Sequence, residues 1–154
     1  MPAFRSLPLP LFRLMRQPPQ LLYALGLGPL VGRLILLLTT TGRRSGRQRV
    51  TPLQYEEIEG LIYIGSARGQ QADWFRNIQA DTRVEVRVGA RRFSALAEPV
   101  TDPSRIADFL QIRLDRHPKM VASMLRGEGL PARPERADLE RYAAGLAMVV
   151  IHPE

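Results

Sequence analysis

At 154 residues and 45% hydrophobic content, the chain has the length of one domain and enough apolar material for a core. It contains no cysteine, which excludes disulfides, thiolate metal sites and cysteine nucleophiles. Its net charge of +7 rests on 22 basic residues, of which only Lys119 is a lysine, so an acidic partner would meet planar guanidinium forks suited to carboxylate and phosphate.

Residues 1–33 read as a basic and apolar N-terminal helical segment that packs on a domain formed by residues 34–154. Arg5, Arg13 and Arg16, mixed with Leu7, Leu11, Phe12 and Met15, would also permit peripheral contact with an anionic membrane. Residues 21–38 are long enough to cross a bilayer, but Gly26, Gly28, Pro29, Gly32 and Arg33 break the run. No secretory cleavage pattern follows, and a cytoplasmic location is expected. The three glycines do not have dinucleotide-binding spacing and follow no strand.

A first strand is expected over residues 34–41. It leads into residues 39–49, TTTGRRSGRQR, where four arginines and two glycines fall in one loop. Gly42 and Gly46 can take positive φ without steric penalty, so the loop can turn tightly and aim backbone N–H groups and guanidinium forks at one point. A polyanion is the natural guest, and a solvated basic hairpin is the competing reading. Each charge-assisted hydrogen bond contributes roughly 1.5–3 kcal/mol net. Three approach the ~8 kcal/mol of micromolar binding before ordering is subtracted.

Strands follow over residues 50–56 and 61–66, joined by a turn at Glu59 and Gly60, with Glu56, Glu57 and Glu59 forming a solvated edge. Arg68 and Gly69 turn into a short helix whose N-terminus could favour an anion. On it Trp74, Phe75 and Ile78 share an apolar face and Asn77 bonds nearby backbone. Residues 84–88 and 92–100 form a hairpin about Gly89 and Ala90. Asp102 caps a helix that begins at Pro103 and runs to Arg116. A shorter helix over residues 119–126 stops at Gly127, and a last one covers residues 135–144. Residues 147–152 read as the closing strand. Five or six antiparallel strands with intervening helices imply a small barrel.

Four pieces in order, LLLTTTGRRSGRQRVTPL, GSARG, ADWFRNI and RVEVRVGARRF, resemble the deazaflavin-dependent nitroreductase family across residues 36–101. The resemblance implies an α+β fold, a split antiparallel β-barrel of the FMN-binding and pyridoxamine-phosphate-oxidase type with flanking helices. It also implies the deazaflavin coenzyme F-420, which carries a phosphate and an oligoglutamate tail. Carried over residue by residue, Arg43, Arg44, Arg49 and Arg68 match the positions that hold the phosphate and tail, with Ser45 in the same loop. Backbone around Thr51, Pro52 and Leu53 and around Gly65, Ser66 and Ala67 would face the ring, and Trp74 and Asn77 belong to the helix beside the coenzyme. Ala67 stands where some members carry a serine. The stretch HPKMVASML replaces a tyrosine-rich segment that shapes the pocket in nitroimidazole-reducing members.

Hydride transfer to a hydrophobic, electron-poor quinone, enone or nitroaromatic is the activity this implies. With two histidines in the chain, no metal-ligand cluster is expected, and no hydrolase constellation appears. A cofactor that carries the chemistry fits that absence. His117 is the candidate proton donor. FMN or FAD held by the same loop is the alternative cofactor, and a non-catalytic barrel for haem, fatty acid or membrane is the alternative class. Nucleic acid is disfavoured by the lack of interleaved aromatic residues. A homodimer is expected by analogy with other split barrels.

Overall fold

The computed structural model describes residues 35–66 and 68–154. The expectations for residues 1–34 and for Ala67 fall outside them.

Seven strands form one antiparallel sheet: β1 (Ile35–Thr41), β2 (Gln48–Gln54), β3 (Glu56–Ile58), β4 (Leu61–Ser66), β5 (Arg83–Val88), β6 (Arg91–Val100) and β7 (Ala147–Pro153). Their spatial order is β2-β1-β5-β6-β7-β4-β3. Among the described residues four α-helices accompany them: α1 (Asp73–Ala80), α2 (Pro103–Arg116), α3 (Pro118–Gly127) and α4 (Arg136–Ala143).

The chain itself forces the sheet to curl. Seven flat strands at ~4.8 Å spacing would hold the two edges about 29 Å apart. Those edges are β2 and β3, and Tyr55 alone joins them. They must therefore meet at Tyr55, and β2 comes to lie beside β4. This is why residues 50–56, expected as one strand, divide in two: the first part pairs with β1 and the rest with β4, on opposite sides of the split. The strand count among the described residues is accordingly seven.

Alternating residues build two apolar layers. Leu36, Leu38, Leu53, Ile62, Ile64, Val84, Val86, Val149 and Ile151 fill the barrel, and Trp74, Phe75 and Ile78 of α1 pack into that core. On the outer face, Ile58, Val100, Met148 and Val150 are covered by Ile106, Phe109 and Leu110 of α2, Val121 and Leu125 of α3 and Leu139 of α4. β7 is buried on both faces from Ala147 to Ile151, as its unbroken apolar run requires.

The helix punctuation follows the sequence. The Asp102 side chain accepts from the Ser104 N–H at 3.0 Å with Pro103 in the first turn. Glu135 and Asp138 form a reciprocal cap on α4. Gly127, expected to stop α3, is its last helical residue, and the left-handed turn comes at Gly129 (φ 93°).

Candidate functional site

The arginine loop between β1 and β2 is closed by its own backbone. The Gly42 N–H donates to the Arg47 carbonyl at 2.8 Å, and the Gly46 N–H donates to the Gly42 carbonyl at 2.8 Å. Ser45 Oγ accepts from the Arg47 N–H at 3.2 Å. Gly46 takes the expected left-handed conformation, φ 71°. Gly42 does not, and glycine is needed there for space: a Cβ would lie 3.1 Å from the Arg47 carbonyl oxygen and 2.9 Å from Ser45 Oγ. Residues 44–50 are all exposed, so Arg44, Arg47 and Arg49 project into solvent. Arg47 is absent from the set carried over by resemblance, yet its exposure on this loop makes it an equal candidate.

Arg43 behaves differently. Its side chain is 22% exposed and reaches α1, donating from Nη1 to Asn77 Oδ1 at 2.9 Å and from Nη2 to Asp73 Oδ1 at 3.3 Å. The Arg43 N–H also donates to Asn77 Oδ1, at 3.2 Å. Asn77 is 4% exposed, and its Nδ2 donates to Thr40 Oγ1 at 3.3 Å. The expected local role of Asn77 is therefore replaced by a long-range one, tying α1 to the end of β1. The α1 N-terminus, read as favouring an external anion, already carries the carboxylate of Asp73 in its first turn.

The remaining residues lie along the split. Thr51 and Pro52 are half-buried and Leu53 is buried on β2; Gly65 and Ser66 end β4. Extending the β3–β4 register through Tyr55 brings Leu53 to the level of Ser66, so residues 51–53 and residues 65–66 line opposite lips. The buried Ser66 Oγ donates to the Gly69 carbonyl at 2.7 Å, fixing the turn that carries the exposed Arg68. Gly69 is constrained twice, by φ 57° and by the Gly145 carbonyl oxygen, 3.1 Å from where a Cβ would sit. Trp74 is a core residue, edge-on to Phe75 with ring centroids 6.2 Å apart.

His117 sits elsewhere, at the α2–α3 junction outside the barrel, where its Nε2 is hydrogen-bonded to Glu56 Oε1 at 2.8 Å. Glu56 is not the solvated edge expected from sequence. Its side chain is 15% exposed, and Arg116 joins His117 on it, with Nη1 3.1 Å from Oε2. Arg113 is also near, its buried Nε 4.0 Å from Oε1. The second histidine, His152, lies 3.0 Å from Glu98 Oε1. Among the described residues no cluster of potential metal ligands occurs, and no helix is long and apolar enough to cross a membrane.

A family model described as F420H(2)-dependent quinone reductase matches residues 24–131. A protein named F420H(2)-dependent quinone reductase from Mycobacterium tuberculosis (strain ATCC 25618 / H37Rv) is 35% identical over 68 residues, covering 42% of this chain and 46% of that one. The chain thus spans about half the length of the relatives it matches. Among solved structures, an F420-H2 dependent reductase (FDR-A) aligns with a TM-score of 0.53 at 19% identity, over 78% of this chain and 95% of that one. A protein from Listeria innocua assigned as a pyridoxamine 5′-phosphate oxidase aligns with a TM-score of 0.51 at 11% identity, over 81% and 89%. At such identities the structural likeness speaks to fold, and it bears out the split barrel.

Proposed function

Because this chain belongs to the F420H(2)-dependent quinone reductase family, we propose that it is a reductase that takes reduced coenzyme F-420 and delivers hydride to a hydrophobic, electron-poor acceptor. A quinone is the first candidate, and enones and nitroaromatics share the required electrophilicity. The observation that carries the reading is the arginine loop, a self-closed backbone turn that presents Arg44, Arg47 and Arg49 to solvent. Such a donor set of exposed guanidinium groups fits a phosphate followed by glutamate carboxylates.

When bound, the reduced deazaflavin supplies hydride from its C5 carbon. The protein's work is to bind, orient and exclude water. Arg44, Arg47, Arg49 and Arg68 hold the anionic end, with Arg43 and Ser45 completing the loop around it. Backbone at Thr51, Pro52 and Leu53 on one lip and at Gly65 and Ser66 on the other orients the ring. Trp74 supports that arrangement from α1, and Asn77 on the same helix supports the arginine loop. Solvent completes protonation of the acceptor.

Family membership favours the deazaflavin over FMN or FAD. Haem finds less support, because both histidines are engaged by carboxylates.

A fluorescence titration with F-420, run beside FMN and FAD at fixed ionic strength, tests the reading. Saturable micromolar or tighter binding of F-420 alone is expected. Arg44→Ala and Arg49→Ala should each weaken it about tenfold or more, the equivalent of one charge-assisted hydrogen bond at roughly 1.5–3 kcal/mol. Absence of F-420 binding by the parent protein would overturn the assignment.

A further inference from the structure

We propose that Asn77 is a positioning residue for the arginine loop and acts through Arg43, which anchors the loop to α1 instead of meeting the anion. The inference rests on the functional reading above and divides the loop's labour: Arg43 holds, while Arg44, Arg47 and Arg49 bind.

The loop's arginines differ in where they point. Arg44, Arg47 and Arg49 are exposed, whereas the Arg43 side chain is 22% exposed and directed at α1. Its contacts there are of unequal weight. Asp73 is 82% exposed, so its ion pair with Arg43, at 3.3 Å, is screened by solvent and contributes little. The backbone carbonyl of Asp73 accepts from Nη1 at a long 3.4 Å.

Asn77 provides the stronger hold. Its Oδ1 accepts from both the backbone N–H and Nη1 of Arg43, so both lone pairs of one buried oxygen serve one residue. The orientation of the amide is set from behind, because Nδ2 donates to Thr40 Oγ1, and Thr40 is 1% exposed. A flipped amide would aim N–H groups at the N–H groups of Arg43. Thr40 on β1, Asn77 on α1 and Arg43 at the loop's entrance thus form one relay. Since Asn77 is 4% exposed and its amide is engaged at both ends, it reaches an anion through the loop and not by direct contact.

Without this hold the loop would have to be ordered at the moment of binding, and affinity for the anionic end would fall while affinity for the ring would not. Two measurements on the full-length protein test this. In the first, F-420 is compared with its deazaflavin fragment lacking phosphate and tail. Asn77→Ala should weaken F-420 binding about tenfold and leave the fragment within twofold. Adding Arg43→Ala to Asn77→Ala should bring no further loss, and Arg43→Ala should preserve the salt dependence of F-420 binding that Arg44→Ala reduces. Additive losses, or a salt dependence reduced by Arg43→Ala, would show Arg43 on the anion and overturn the proposal.

The second measurement needs no coenzyme. Thermal melts of the Asn77→Ala and Arg43→Ala variants should be non-additive, the double variant melting close to the lower single one. Thr40→Val, a milder change that releases the amide, should reproduce part of both effects. If the parent fails to bind F-420, the functional reading falls and the melts decide this proposal: additive losses of melting temperature refute it.

Discussion

Gly42 and Gly46 shape the arginine loop for different physical reasons, and alanine separates them. At Gly46 a side chain has open space but the backbone is left-handed, so Gly46→Ala should lose about 1–2 kcal/mol, a drop of roughly 3–6 °C in Tm. At Gly42 the backbone is permissive but a Cβ would press on the Arg47 carbonyl, the acceptor that closes the loop. Gly42→Ala should therefore weaken coenzyme binding more than Gly46→Ala does. Parallel melts and titrations of the two variants check this, and equal binding losses would contradict it. The basic composition of the loop was legible in the sequence because charge and glycine cluster there within a few residues. The inward turn of Arg43 was not, since its acceptor, Asn77, stands on a helix made 34 residues later.

Among the elements, the α2–α3 junction stands out, because it fastens β3, the short edge strand, to the helical layer. Glu56 of β3 receives Arg116 and His117, with Arg113 close by, and Arg113 also lies over the Phe109 ring at 5.9 Å. Desolvation lowers the Arg113 pKa, while the nearby Glu56 carboxylate opposes that shift. Glu56→Gln would leave Arg116 and the largely buried Arg113 without their counter-charge. It should destabilise the protein by about 3 kcal/mol, the lower end for breaking a buried pair. Chemical denaturation measures the loss; a change below about 1 kcal/mol would place the cluster among ordinary surface pairs. Local patterns revealed most strands and helices, because alternation and caps are short-range. β3 was not seen as a separate strand: Glu56 closes the strand expected over residues 50–56, Glu57 has poor strand propensity, and pairing with Leu61, Ile62 and Tyr63 makes residues 56–58 a strand of their own.

At the scale of all the described residues, the protein is a sheet closed at Tyr55 with α2, α3 and α4 laid over its outer face, and Glu98 joins those layers. Its carboxylate accepts from Arg105 of α2 and lies against His152 of β7, and these hydrogen bonds hold its pKa down to about 2. A carboxyl with a folded pKa below its unfolded value stabilises above the unfolded pKa of about 4.5 and loses that contribution as pH falls towards about 2. The stability difference between parent and Glu98→Gln should accordingly be constant near neutrality, shrink below about pH 4.5 and vanish near pH 2. A difference that persists unchanged into acid would show that the carboxylate's charge is irrelevant. The effect will be modest, because Glu98 is 39% exposed. Such long-range links, like the strand order itself, had no trace in local sequence: nothing near Ile62 or Ala97 announces that each pairs with Ile151.

That shared partner has a consequence for how the protein comes into being. β7 lies between β4 and β6 but is synthesised after both. While the chain is growing, β4 and β6 each carry an unmatched row of N–H and C=O groups, and Ile62, Ile64, Ala95 and Ala97 line a barrel with one wall missing. Closure waits for distant segments to find each other, which makes assembly slow and leaves the nascent chain a natural client for chaperones.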